Sequence, residues 1–487
     1  MDIYSIVAVL FLVLYLFVGV YAGRVTNTTG DHMVMSKSAV GYQITGSLIA
    51  SNLSSVTLIG YTATVVASGP LAILSQFGMT VVASLFIGLL IGRYIRRMDL
   101  NTIPEFFEKR YPSQAIQLVS SIILLISMVA YTISVTIGTV VVGKNLFGWN
   151  EMTSLIAVIL LITMFTIRGG MRSVVITDVI MFCVFFMSSL LIGYPIIQHL
   201  GGFELAIQKA TPEFTHLFNW VGDDSLLQGT MNIIELNVLC LINVMAAPHL
   251  MSRIYIAKSE REFGKAMLYL SIGIPITVFG LLYSFGYLPV LEHVQGFTVE
   301  GEVFPWVARN LVNPFVGAIG MSGVIAAAIS TSSSLLQQAS ATLANDIIKK
   351  YFIKDLSDNR VLLVTRVCVV VLAIIVFIGA SIPTIEGLTV LYAFLFATSV
   401  FAAWWPSIII GTLWKKGSTS GAFWSMSMSL FVAVILGFTR AAGLTPEWVV
   451  PNVAALITST TLFIVISLFT ENQKEELELM DKISRSV

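Results

Sequence analysis

Apolar stretches long enough to cross a lipid bilayer recur from one end of this chain to the other, and no other feature limits its fold so sharply. A bilayer core is spanned by about 20 apolar residues in a helix. Thirteen segments meet that description: 3–22, 42–68, 70–92, 115–143, 151–167, 173–198, 231–250, 266–290, 313–334, 361–382, 387–412, 419–439 and 448–469. With 56% hydrophobic and 11% charged residues, the chain cannot be an ordinary water-soluble domain. In hydrocarbon every backbone N–H and C=O must be satisfied within the protein, which leaves helices or a closed barrel. Segments of this length are helices. The first is longer than a signal peptide's apolar core and lacks both a basic start and a small-residue cleavage site, so it reads as a span.

Charge placement tests this reading. With the N-terminus outside, 23 of the 27 Lys and Arg fall in inner segments, Arg24, Arg96, Arg253 and Lys350 among them. Only Lys144, Lys209, Arg309 and Arg440 fall outside. Basic residues accumulate on the cytoplasmic side, and a missed or invented span would scramble the split. The expectation is a multi-pass plasma-membrane protein with its C-terminus, including a charged tail at 471–487, in the cytoplasm. The zero net charge says nothing about partners, and no basic patch suggests nucleic acid. The segments between spans are too short for a soluble domain. The segment 93–114, with Pro104 and Pro112, suits a short surface helix.

Cys183, Cys240 and Cys368 all fall within spans and read as small buried hydrophobes, not a disulfide framework. The five His are scattered, and no Cys/His cluster, HExxH or P-loop appears. The chain is therefore not expected to be an enzyme or an ATP-driven pump. The glycosylation pattern Asn27-Thr28-Thr29 falls inside by this topology, and Asn52-Leu53-Ser54 falls in a span, so both read as chance.

Three segments carry polar groups where hydrocarbon gives them no water. Residues 324–344 hold five consecutive hydroxyls, Ser330-Thr331-Ser332-Ser333-Ser334. Ser330, Ser333 and Ser334 share a helix face, and Ala327, Thr331 and Ser334 make an overlapping stripe. Such hydroxyls serve a small hard cation, or they bond back to the preceding turn and let helices pack closely. Both accounts stand on this segment alone. The other two segments interrupt their own apolar pattern: Gly46 to Ser55 in the second span, and Asn237 to His249 in the seventh. Five helices separate them, and an odd number of spans inverts a second copy in the membrane. Broken helices at matching positions in two halves mark the midplane site of a transporter. They expose carbonyls for a cation and helix N-termini for a carboxylate. Simple packing or kinking explains Gly, Ser and Pro there equally well.

The residues also resemble the sodium:solute symporter family. Ala326-Ala327-Ala328-Ile329-Ser330-Thr331 with Leu335-Leu336 and Asn345-Asp346 is similar to its ninth-helix signature. Gly169-Gly170-Met171-Arg172 through Thr177-Asp178 is similar to the start of its sixth helix. Pro248-His249 with Arg253 resembles the inner end of its broken seventh helix. The resemblance covers nearly the whole chain. It implies an all-α integral membrane protein of about 13 helices with the LeuT-type 5+5 inverted repeat. The extra N-terminal helix would be 3–22, the repeats 42–198 and 231–412, and the two extra C-terminal helices 419–469.

It further implies Na⁺-coupled symport of a small organic solute by alternating access. The main Na⁺ site would use the carbonyls of Ala50, Leu53 and Ala327 with the hydroxyls of Ser330 and Thr331. Five neutral oxygens suit a monovalent cation better than Ca²⁺, which usually takes carboxylates and more ligands. A second Na⁺ site, present in some members, would use Asp178, Ser330, Ser333 and Ser334. The coupling ion is thus Na⁺, one or two per cycle. Asp178 has two accounts, since an acidic residue at mid-bilayer costs roughly 2.5–3.5 kcal/mol. It is an ion ligand, or it lies near the inner interface, where it pairs with Arg172 or Arg168 or favours the helix N-terminus. The solute would lie among Ser51, Asn52, Ser55, Gln76 and Asn243, with no Arg or Lys deep in a span. Sugar carriers of the family have Glu where this chain has Gln76, and proline carriers have Asp where it has Asn52. A small carboxylate, a pantothenate-like compound or an amino acid remains. The rival readings are proton coupling on the same fold, for which Asp178 is the one titratable group near the ion site, and a channel or membrane sensor.

Overall fold

A computed structural model describes residues 3–23, 34–62, 65–66, 70–208, 226–278, 284–285, 288, 302–353, 357–382, 389–446 and 448–470. The Asn27 sequon, the Trp220 segment and the tail at 471–487 lie outside the described residues, as does the side chain of Gln76. The described chain is helical, and one isolated parallel bridge, Ala39 with Ala257, is its sole β pairing.

The helices that matter here are α1 (Ile3–Gly23), α2 (Gly41–Asn52), α3 (Val56–Tyr61, π-helical), α4 (Pro70–Phe86), α5 (Ile103–Arg110), α6 (Gln114–Phe147), α7 (Glu151–His199), α8 (Leu226–Ala246), α9 (Pro248–Ile256), α10 (Glu260–Val278), α11 (Pro314–Ala341), α12 (Asp358–Ser381), α13 (Thr389–Ala402), α14 (Trp405–Leu413), α15 (Thr419–Ala441) and α16 (Pro451–Phe469). Among the described residues ten helices are long and apolar enough to span a membrane. The other three expected spans are the second, the fifth and the eighth. The second is interrupted between α2 and α3. The fifth, Glu151–Ile167, is a shorter apolar helix. The eighth, 266–290, is described as continuous helix only to Val278.

Helix ends follow their sequence. Asn150 caps α7 by accepting from the Thr153 N–H, and Asn313 caps α11 by accepting from the Phe315 N–H, with Pro314 at the first helical position. Within α7 the backbone breaks at Gly170, where φ is +60° and ψ 178°. A side chain at that φ is strained, so the second glycine of Gly169-Gly170 lets two spans join without a loop. Pro248 stands at the first turn of α9, and the chain bends at Ala247, as the seventh-span pattern predicts.

The core forms around α11, which is buried along nearly its whole length from Gly317 to Ala341. It packs against α1, α6 and α7. The N-terminal helix is stitched on by polar contacts: the Ser5 hydroxyl donates to the Leu146 carbonyl (2.8 Å) and the Ser173 hydroxyl to that of Gly19 (2.7 Å). Cys240 and Cys368 are buried as expected, whereas Cys183 is exposed, because its face of α7 looks out of the bundle. The expected short helix at 93–114 is present as α5, but it dips inward. Arg110, 1% exposed, donates to the carbonyls of Gly411 (2.9 Å) and Gly417 (3.1 Å). A cation at the C-terminal end of α14 meets both its free carbonyls and its dipole.

The bridge at Ala39 has a specific role. Ala39 N–H donates to the Ile256 carbonyl (3.0 Å), and Lys258 N–H donates back to that of Ala39 (2.8 Å). Ala39 precedes α2 and Ala257 follows α9, so the two broken helices are tied to each other at the ends remote from their breaks.

Candidate functional site

α2 stops where the sequence turns to Ser and Asn. The last four carbonyls of a helix have no partner within it. Here Leu53 N–H takes that of Ile49 (2.8 Å), and the Thr57 hydroxyl takes that of Asn52 (2.5 Å). The ladder restarts when Thr57 and Leu58 N–H bond to the Ser54 carbonyl (3.1 Å each). The carbonyls of Ala50, Ser51 and Leu53 lie in the gap between these two ladders. The unwound pair Leu53–Ser54 is where the second span was expected to break.

Gly46 brings α2 against α7. A Cβ at that position would sit 3.0 Å from Val179 Cγ2 and 3.1 Å from its Cα. That close approach delivers Ser47 to the neighbouring Asp178. Asp178 is fully buried and takes three donors: the Ser47 hydroxyl and Arg253 Nη2 (3.2 Å) on Oδ2, and the Ser330 hydroxyl on Oδ1. Arg253, also fully buried, spreads its fork over three further elements. Nε donates to Ser47 Oγ (3.0 Å), and Nη2 also reaches Ser51 Oγ (3.2 Å). Nη1 donates to Ser334 Oγ (2.9 Å), Ser252 Oγ (3.0 Å) and the His249 carbonyl (2.7 Å). A buried ion pair survives when its remaining lone pairs and protons are also satisfied, and this one is.

Two expectations are corrected. The partner of Asp178 is Arg253, not Arg172, because α9 returns to α7 in space although 75 residues separate the pair, and the side chain of Arg168 lies outside the described residues. The absence of deep Arg or Lys also fails. Arg253 reads from sequence as an inner-segment charge, yet its guanidinium turns back along α9 and is 0% exposed.

The remaining predicted residues fall into two groups. The first is the ion set. Ser51 and Ser334 share the Arg253 guanidinium, so α2's unwound end and the hydroxyl helix are held within one side chain's reach. Ser330 spends its proton on Asp178 and keeps its oxygen lone pairs. The hydroxyls of Thr331, Ser332 and Ser333 are buried with no hydrogen-bond partner. Ala327 lies in unbroken helix, so its carbonyl offers only the lone pair that the ladder leaves over.

The second group is the solute set. Asn243 Nδ2 donates to Asn52 Oδ1 (3.4 Å), and Asn52 Nδ2 to the Leu48 carbonyl (2.9 Å), while Asn243 Oδ1 is buried without a partner. Ser55 turns away, donating to the Val135 carbonyl of α6 (2.8 Å). The cavity beside Asn52 measures about 10 Å³, far below the roughly 300 Å³ of a small-molecule site, so a solute enters only if the helices part.

Sequence reasoning did not single out Ser47 or His249 as site residues. Ser47, Ser51 and Ser54 stand at helical spacing within the interrupted stretch, a stripe that could have revealed the first. Both ring nitrogens of His249 are buried without partners, its ring edge-on to Tyr131 at 5.1 Å.

The sequence model of the sodium:solute symporter family matches residues 32–429. This chain belongs to that family. Its relatives include the osmoregulated proline transporter OpuE of Bacillus subtilis, 23% identical over 92% of this chain and 93% of its own. The sodium/proline symporter of Escherichia coli is 25% identical, covering 86% and 84%. The sodium/pantothenate symporter of Haemophilus influenzae is 25% identical, covering 70% of each. Among solved structures, a Na⁺-coupled sialic acid symporter in a substrate-bound outward-open state superposes with a TM-score of 0.80. It is 18% identical and covers 98% of this chain and 99% of its own. The family member described here is a multi-pass membrane transporter, not an enzyme, with the LeuT-type all-α fold. It carries a small organic solute by Na⁺-coupled secondary transport.

Proposed function

We propose that Na⁺ binds between the unwound end of α2 and the middle of α11, on the carbonyls of Ala50, Leu53 and Ala327 and the hydroxyls of Ser330 and Thr331. The observation that carries this reading is the Thr331 hydroxyl, fully buried and without a partner on the stretch of α11 that Ser330 and Ser334 link to α2 through Asp178 and Arg253. A buried hydroxyl left unpaired costs roughly 1–3 kcal/mol, and a cation would recover it. The second-ion set looks different. Asp178 and Ser334 already face the Arg253 charge, which leaves Ser333 as the one hydroxyl of that set without a partner. One Na⁺ per cycle is the reading these contacts favour.

The solute would sit by Asn52 and Asn243, whose amides offer both donors and acceptors. A small carboxylate or amino acid suits them, its negative end drawn to the N-terminus of α9 at Pro248. The N-terminus lies outside and the C-terminus in the cytoplasm, and the two broken helices belong to inverted repeats at 42–198 and 231–412. Na⁺ entering a negative cell gains about 2.3 kcal/mol per 100 mV, which drives the solute inward. Ion and solute favour the same arrangement of α2, so each should tighten the other by the same factor.

The test is uptake of radiolabelled small acids and amino acids into proteoliposomes, with Na⁺ or choline outside at fixed pH. Thr331→Ala should raise the half-activating Na⁺ concentration about tenfold, equivalent to 1.4 kcal/mol, with Thr331→Ser close to wild type. Wild-type Na⁺ activation in a well-expressed Thr331→Ala protein would remove the site assignment.

A further inference from the structure

We propose a second cation station at the far end of the hydroxyl helix, centred on Asp346 and serving ion release. It rests on the Na⁺-symport reading and on the orientation above, which puts this end inside the cell.

From Ser330 onward polar residues recur at four-residue steps through α11 and the π-helical segment after it: Ser330, Ser334, Gln338, Thr342, Asp346. Residues four apart share a helix face, though the stripe drifts slowly round the axis. From Thr342 to Phe352 the helix takes wider π-helical turns, which wind the stripe back. The upper members are engaged: Ser334 accepts from Arg253 (2.9 Å), and Gln338 Nε2 donates to Ser252 Oγ (3.0 Å). The lower members are less so. Thr342 and Asp346 stand one turn apart and interact with each other, yet neither Thr342 Oγ1 nor Asp346 Oδ2 makes a well-formed hydrogen bond, and Oδ1 has the Thr102 hydroxyl at 3.5 Å. Across the gap the Tyr255 hydroxyl is likewise buried and unpartnered.

Thr342 and Tyr255 line a cavity of about 20 Å³ together with Thr102, Ser252, Gln337 and Gln338, and Asp346 meets its wall through the Thr102 hydroxyl. One water-sized particle needs roughly 10–15 Å³, so the space takes a single small cation or a water and no organic solute. Its chemistry favours the cation. Asp346 is 6% exposed. The charges facing it are Glu105 and Lys350, and the Lys350 ammonium is bonded to Glu108. Asp178, by contrast, has a guanidinium in hydrogen-bond contact. A buried carboxylate without such a partner is costly unless a cation or proton joins it. Neutral hydroxyls and amide oxygens beside one carboxylate give a weak, hard site fit for passing an alkali ion onward.

The experiment uses the full chain in proteoliposomes of known sidedness. Outer Na⁺ activates uptake, and Na⁺ added to the inner face opposes its own release and inhibits. Asp346→Asn should raise the half-inhibitory inner Na⁺ concentration about fivefold or more while leaving outer half-activation within about twofold. Thr342→Val, which keeps the carboxylate, should shift the inner value in the same direction by less, and covers the case in which Asp346→Asn fails to fold. A station that serves only packing would change expression or maximal rate and leave the inner value unmoved. Wild-type inner inhibition in both variants, or equal shifts on both faces, would overturn the proposal. Loss of Na⁺ dependence in the wild type would instead refute the symport reading beneath it.

Discussion

The Asp178–Arg253 pair gives the most demanding test of how this site is built. Replacing Arg253 by Met keeps much of the side-chain volume and removes the charge. Asp178 then stays at zero exposure with two hydroxyl donors and no cation. Stranding one member of a buried pair typically costs 3–5 kcal/mol, most of it the unpaired charge. Asp178→Asn alone strands the guanidinium, which still has Ser47, Ser51, Ser334 and the His249 carbonyl, so its cost should lie at the lower end, about 3 kcal/mol. The double variant removes both charges. Its cost should fall well below the sum, with an interaction of about 2–3 kcal/mol. Reversible unfolding in mixed micelles, titrated with SDS, reads all four corners. If the two costs simply add, the charges do not sense each other, and the account of α2, α7, α9 and α11 converging on one ion pair is wrong.

Two further outcomes follow from the same geometry. Gly170→Ala places a side chain at φ +60° and should destabilise the protein by about 1–2 kcal/mol, seen as a lower melting temperature with unchanged Na⁺ activation in the surviving protein. Asn243→Ala removes the Asn52 contact and should raise the solute concentration for half-maximal uptake by about tenfold, leaving the outer Na⁺ requirement at saturating solute unchanged.

Most of the fold is legible in the sequence because hydrocarbon is an unforgiving solvent. Apolar length fixes the long helices, and Gly46 to Ser55 marks the break at Leu53–Ser54. Pro248 marks the bend before α9. What the sequence hides is distance. Asp178 invites pairing with Arg172, six residues before it, because local spacing is all that a linear reading weighs. Its real partner arrives from α9, and nothing local says that Arg253 turns inward. Ser51 and Ser55 fit a solute pocket equally well on paper, being four apart on one face. The break at 53–54 falls between them, so Ser51 joins the Arg253 network while Ser55 bonds to α6. Cys183 is misread for a related reason: an apolar span gives no strong contrast between the face that meets protein and the face that meets lipid.

The Ala39–Ala257 bridge bears on how such a carrier moves. Two main-chain hydrogen bonds yoke the start of α2 to the end of α9. Swinging one half-helix alone at that end breaks both bonds, whereas moving the two together keeps them. Two such bonds are worth about 1–3 kcal/mol together, a modest bias toward joint displacement over separate displacement.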